Sequence, residues 1–227
     1  MIKIQPGYSQ MSMKKNIAII GAGGMAREVA WLIENINRQT PTWNIVGFIE
    51  DKRRADIETE LLNGYKVFSE QAWLDTYKEE ISVICGIGDG LIRKNIYKKY
   101  SLKPNIEIAT LVDPSVRIDS SISIGQGSVI CSNSIITVNS QIGSGVLINV
   151  NTLIGHDSTI GNYCTLAPFV KVSGGASLGE LCSVGSGAFI IEGTSVIANS
   201  IIGPLAAVYK NIDVSGTYAG NPTRRVR

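Results

Sequence analysis

The apolar positions of this chain change rhythm near its middle. In the first half, short apolar runs alternate with amphipathic, charged segments: NIAII at 16–20, a helix from about Met25 to Asn37, NIVGFIE at 44–50, a helix after Ser69, and ISVICGIG at 81–88. Asp89 is placed to cap a further helix to about Tyr100, and NIEIATLV at 105–112 reads as a last strand. Strands and helices in this order predict a small parallel α/β sheet. From Val112 onward the period becomes six. Stepping by six from Val112 through Ile118, Ile124 and Ile130 to Val208, all 17 positions are aliphatic. With about a third of residues Ile, Leu or Val, a random run of this kind has odds on the order of 10⁻⁸. Two residues ahead of each, the side chain is Ser, Thr, Ala, Cys or Val in 16 of the 17 cases, Ile122 being the exception.

Neither a helical period near 3.6 nor the period of two of a hairpin sheet yields an unbroken six. A parallel β-helix does: one short strand per hexapeptide, tight corners rich in Gly, Asn and Ser, and three hexapeptides or about 18 residues per coil. The array predicts between five and six coils, stacked at about 4.8 Å with a ladder of Ile, Leu and Val inside. Charge marks the boundary, with 28 charged residues in 1–110 and 12 in 111–227. The expected organisation is a poorly ordered lead-in at 1–12, an α/β Rossmann-like half domain at 13–110, an all-β parallel helix at 111–208 and a C-terminal cap and tail at 209–227. Positions 118–210 carry only six charged residues, so the prism is expected to pack against copies of itself.

Composition narrows the rest. The chain has 227 residues, 44% apolar and 18% charged, which excludes disorder and a disulfide-stapled miniature. No apolar run approaches the roughly 20 residues of a membrane span, and the N-terminus lacks a signal-peptide core. A net charge of +2 gives no field for nucleic acid, and four scattered Cys read as reduced thiols of a cytoplasmic protein. A single His leaves a zinc site without ligands, so no metal is expected.

Residues 18 apart stack one above the other, which turns spacing into proximity. His156, in IGHDST, stacks on Gly174, in SGGAS. A base beside a backbone N–H free of any side chain is what acyl transfer needs, one group for the proton and one for the oxyanion. Asp157 could orient the imidazole, provided corner geometry overrides strand alternation. The competing reading is a solvent-facing corner histidine. Cys164 and Cys182, also 18 apart, read as core residues ahead of a thiol pair. In the first half, Gly21-Ala22-Gly23-Gly24-Met25-Ala26 matches G-x-G-x-x-A between a strand and a helix, with Glu50 and Asp51 ending the second strand. Helix-start N–H groups bind phosphate and an acid at that strand end binds a ribose or base edge, or the glycines serve packing alone. The half-size domain favours a nucleotide-sugar over NAD.

A half-size Rossmann-like domain followed by an uninterrupted hexapeptide prism, with GHDSTIG and a closing AGNPTRRV, resembles the bacterial sugar acetyltransferases of the NeuD/PglD family. The resemblance implies a left-handed coil, a homotrimer with sites between prisms, and acetyl transfer from acetyl-CoA, the co-substrate, to a sugar amine or hydroxyl. It makes His156 the general base, Asp157 its acidic partner and Gly174 the donor to the thioester carbonyl. Asn149 resembles a residue of the same pocket. Gly21, Gly23, Gly24, Glu50 and Asp51 resemble the nucleotide-sugar site, and Gly174, Gly175, Gly220, Asn221 and Pro222 the CoA site. Two positions depart from the pattern: Met25 and Thr165 stand where many or some members carry histidine, and both bear on the substrate. The expected activity is N-acetylation of a nucleotide-linked 4-amino-4,6-dideoxy sugar. The alternatives are O-acetylation of a free sugar such as sialic acid, or a non-catalytic nucleotide-sugar-binding trimer.

Overall fold

A computed structural model describes residues 14–50 and 61–226. The expected lead-in 1–12 and Asp51 lie outside the described residues. The first half is built from β1 (Lys15–Ile20), α1 (Gly24–Gln39), β2 (Trp43–Glu50), β3 (Leu61–Leu62), β4 (Tyr65–Ser69), α2 (Glu70–Thr76), β5 (Ile81–Cys85), α3 (Gly90–Tyr100) and β6 (Ile106–Ile108). Among the described residues these strands form one sheet ordered β3-β4-β2-β1-β5-β6, parallel from β4 to β6. Ser69 caps α2 by accepting from Ala72 N, and Asp89 caps α3 by accepting from Ile92 N.

Two differences from the sequence reading have plain causes. The β3–β4 hairpin is an element beyond those expected, and Asn63-Gly64, both at positive φ (50° and 86°), is the turn signal for it. The apolar run 105–112 is not one strand. β6 pairs with β5, whereas β7 (Leu111–Val112) pairs with β10 (Val129–Ile130), so within two residues the chain leaves the sheet and starts the array.

From β7 to β23 (Ala207–Val208) the array has 17 strands of two residues each, and each of the first 14 is parallel to the strand 18 residues on. They stack into three faces, begun by Leu111–Val112, Arg117–Ile118 and Ser123–Ile124. Corners take a residue in the left-handed region, as at Asn139 (φ 59°), Asp157 (φ 57°) and Gly175 (φ 64°). Gly, Asn and Asp enter that region most readily, which is why the corner positions are rich in them. From Ile130 on, the large inward column is buried, and the small column has a second task. Ser128, Ser140 and Ser158 donate across the corner to the carbonyls of Gly143 (2.8 Å), Gly155 (2.7 Å) and Ser173 (3.0 Å), each 15 residues ahead. Cys164 and Cys182 do the same with their thiols, to Gly179 O at 3.0 Å and Ile197 O at 3.2 Å, which makes them core residues. These hydrogen bonds offset the desolvation of the small polar groups inside the prism, with Ser200 Oγ, buried and unpartnered among the described residues, as an exception.

The two halves share a core. α1 buries Ala26, Val29, Ala30, Leu32 and Ile33 against the sheet, and the same cluster takes in Leu111, Val129 and Leu147 from the outer side of the first array face. β24 (Thr217–Ala219) extends that face past β22 (Ile201–Ile202), and β25 (Arg224–Arg225) folds back antiparallel on it, covering the end of the array. Among the described residues no helix is long and apolar enough to cross a membrane.

Candidate active site

Between β14 (Leu153–Ile154) and β15 (Thr159–Ile160) the chain turns the corner from the second face to the third through Gly155-His156-Asp157-Ser158. Because Asp157 is left-handed, strand alternation is broken, and its side chain meets that of its neighbour. His156 Nδ1 lies 2.8 Å from Asp157 Oδ2. With the carboxylate ionised and the ring neutral, Nδ1 is the protonated nitrogen and Nε2 carries the lone pair, without a partner among the described residues. Asp157 also accepts from Asn139 Nδ2 at 3.1 Å. The hydrogen bond from His156, then that from Asn139, hold its carboxyl below the usual carboxylate range. Asn139 was not singled out from sequence, yet it stands 18 residues before Asp157 and the same coil arithmetic run backwards points to it.

One coil on, Gly174 lies directly under the imidazole. A Cβ there would sit 2.5 Å from His156 Nε2 and 2.6 Å from Cε1. The neighbouring backbone is pinned, since Gly175 N donates to His156 O at 2.7 Å and Gly193 N to Gly174 O at 3.0 Å. The N–H of Gly174 itself has no partner among the described residues. A base with a free lone pair, an oriented acid and an unpaired backbone donor therefore share one corner.

The other expected residues lie elsewhere in the chain. Asn149 occupies the preceding corner, between the first and second faces, and accepts from Val150 N at 2.7 Å. It lines a recess of about 160 Å³ with Glu28, Trp31, Asp113 and Pro168. Gly220, Asn221 and Pro222 turn near the end of the array, with a cis bond at Asn221–Pro222 and Ala207 N donating to Gly220 O at 3.1 Å. One chain by itself does not bring these residues to His156.

In the first domain, Gly21 and Glu50 line a cleft of about 370 Å³ at the carboxyl ends of β1 and β2, closed by Glu70, Ile87, Ile92, Asn95, Ile96 and Lys99. Open α/β sheets bind ligands at this end of the strands. Gly21 has φ +99°, which requires glycine. Gly23 caps α1 without a side-chain bond and Gly24 begins the helix, and a Cβ on Gly23 would meet nothing within 4 Å. Packing is therefore not what calls for glycine at 23. The tight contact is between Gly86 and Ala26, where an added Cβ would come within 2.7 Å of the alanine methyl. Met25 is half-buried against the core shared with the array. Thr165 accepts from Arg93 Nη2 at 2.9 Å and donates to Gly88 O at 2.7 Å. Arg93, fully buried, is not among the expected site residues, although it shares the i, i+4, i+7 stripe of α3 with the buried Tyr97 and Tyr100.

Comparison with known proteins agrees with this two-part build. Residues 16–100 match the PglD N-terminal domain and residues 139–174 the bacterial transferase hexapeptide repeats. No curated protein matches the chain. Among solved structures, the acetyltransferase domain of PglB from Neisseria gonorrhoeae FA1090 is 25% identical with a TM-score of 0.85, over 94% of this chain and 100% of that one. That domain has also been solved in complex with acetyl coenzyme A. WeeI from Acinetobacter baumannii AYE is 25% identical, with a TM-score of 0.84 over 94% of this chain and 100% of its own. PerB from Caulobacter crescentus, solved in complex with CoA and GDP-perosamine, shares the fold at 24% identity and a TM-score of 0.82, over 93% of this chain and 97% of that one. The first half thus matches the PglD N-terminal domain and the second the bacterial transferase hexapeptide repeats, in an architecture shared over nearly the whole chain with the acetyltransferase domain of PglB.

Proposed function

We propose that this protein transfers the acetyl group of acetyl-CoA to the amino group of a nucleotide-linked 4-amino-4,6-dideoxy sugar. The observation that carries the reading is the His156–Asp157 pair with Gly174 under its imidazole. The likeness over its full length to a domain named an acetyltransferase and solved with acetyl coenzyme A supports the donor. His156 Nε2 takes a proton from the acceptor amine as its nitrogen attacks the thioester carbonyl carbon. Asp157 holds the Nδ1–H and stabilises the imidazolium that forms. The Gly174 N–H donates to the carbonyl oxygen as negative charge gathers there. When the carbon–sulfur bond breaks, His156 returns the proton to the departing thiolate, which leaves an amide, free CoA and a neutral imidazole. Gly174 and Gly175 at this corner, with Gly220, Asn221 and Pro222, are proposed to line the CoA site, and Asn149 the acceptor side. Because the last four lie at other corners, the site is completed by a second copy in a homotrimer.

The cleft holding Gly21 and Glu50, beside the open helix start at Gly23 and Gly24, is proposed to take the nucleotide, a diphosphate at the helix N-terminus and a base or ribose edge at the carboxylate. Thiol release from acetyl-CoA, measured against UDP-, dTDP- and GDP-linked 4-amino-6-deoxy sugars and free sialic acid, tests the whole reading. Turnover is expected on a nucleotide-linked amine, and His156→Ala should lower kcat by a factor on the order of 10² to 10⁴. Turnover confined to the free sugar would replace it with O-acetylation, and near wild-type kcat in the variant would remove His156 as the base.

A further inference from the structure

The cleft and the array share a wall, and that wall is α3. Its Ile92, Asn95, Ile96 and Lys99 line the cleft, while Arg93, Tyr97 and Tyr100 are buried. Arg93 is 1% exposed, and its guanidinium is divided between the two halves of the molecule. Towards the array, Nε donates to Gly145 O at 2.8 Å, and Nη2 to Tyr163 O at 3.2 Å, Cys164 O at 3.0 Å and Thr165 Oγ1 at 2.9 Å. Towards its own domain, Nη1 donates to Ile87 O at 2.8 Å and Gly88 O at 2.9 Å, in the loop that joins β5 to α3. The Thr165 hydroxyl closes the ring by donating to the same Gly88 carbonyl at 2.7 Å. Ile87 lines the cleft and lies against Gly21, where an added Cβ would be 3.0 Å from Ile87 Cγ1.

These contacts form one physical chain: array carbonyls, guanidinium, loop 86–89, Gly21. Every hydrogen-bond partner of the buried cation among the described residues is a neutral oxygen, and a buried charge held that way is no better for stability than apolar packing. What a planar fork of five donors does uniquely is fix the relative positions of the groups that it bridges. We propose that Arg93 is a positioning residue that registers the cleft-lining loop 86–89 against the array, so that the affinity of the cleft depends on the hexapeptide domain behind it. This rests on the reading of the cleft as a nucleotide site.

Two variants test it in the full chain. Arg93→Lys keeps the charge, but a single ammonium cannot reach both sets of carbonyls. Thr165→Val is isosteric and removes only the hydroxyl that ties the array to Gly88. The probes are UDP, dTDP and GDP for the cleft and acetyl-CoA for the array, titrated calorimetrically, with amide hydrogen exchange over residues 86–89 read in the unliganded protein. The expected result is nucleoside diphosphate binding weakened about tenfold or more in both variants, acetyl-CoA binding unchanged, and faster exchange in the loop. Should Arg93→Lys fail to fold, Thr165→Val decides alone. Wild-type nucleotide affinity in a folded variant overturns the role of Arg93 and leaves the cleft reading standing. A wild-type protein that binds none of the three nucleotides overturns the cleft reading, and this proposal with it.

Discussion

Replacing Gly174 with alanine isolates the position of the imidazole from everything else at the corner. The new methyl carbon would lie 2.5 Å from His156 Nε2, 2.6 Å from Cε1 and 3.0 Å from Cδ2. A comfortable separation is about 3.5 Å, so the ring is about 1 Å too close and must swing outward. It is free to do so, because the His156 side chain is 57% exposed, but the motion breaks its 2.8 Å contact with Asp157. The backbone N–H of residue 174 survives, and φ there lies outside the left-handed region, so alanine adds no backbone strain. A strained histidine rotamer costs about 1 kcal/mol, and alanine's smaller unfolded-state entropy returns about 0.4–1 kcal/mol. The thermal midpoint should therefore move by no more than about 4 °C. A base displaced by about 1 Å should lower kcat by a factor on the order of 10². Since His156 is the single histidine of the chain, its imidazole resonances report the displacement directly. Gly193→Ala is the control: φ is +66°, so it carries strain, but its Cβ meets nothing within 4 Å and kcat should hold. A folded Gly174→Ala protein with wild-type kcat would refute the account of why glycine stands there.

Asn139→Ala should raise the titration of the Asp157 carboxyl, seen by carbon NMR, because the amide donates to the ionised form and helps hold that group low. The stability linked to this depression is present above the unfolded pKa of about 3.9 and is lost as pH falls through the folded value; the variant narrows that window from its acid side. Gly86→Ala drives a methyl to 2.7 Å from Ala26 Cβ and should cost about 1–3 kcal/mol, read as a lower urea midpoint with unchanged slope. Ile154→Ala, at a position with no exposure, should cost about 2–5 kcal/mol, whereas Thr159→Ala on the outer side of the next strand should stay within about 0.5 kcal/mol.

What can be read along the chain is what repeats locally. Each coil of the array imposes the same demands: a large aliphatic residue inward, a small one two places earlier, a corner that tolerates left-handed backbone. The six-residue period therefore states the fold of the second half almost outright. The same arithmetic placed Gly174 beside His156, because stacking converts 18 residues of sequence into one coil of distance. In the first half, caps and alternation locate the helices well, and Asn63-Gly64 is a legible turn signal for the β3–β4 hairpin. The split of 105–112 was not legible, since an apolar run looks the same whether its two ends pair with one sheet or with two. The separation of Asn149 from His156 is legible in the same arithmetic, since seven residues are about one hexapeptide and so one corner, although the resemblance groups the two by motif. Arg93 is the plainest case of what is not legible. Its partners at Gly145, Tyr163, Cys164 and Thr165 lie 52 to 72 residues away, and most of them are carbonyl oxygens, which every residue carries and no residue type announces. Periodic side-chain patterns write local geometry into a sequence; contacts made through the backbone between separate domains leave no such mark, and they appear only when the chain has folded on itself.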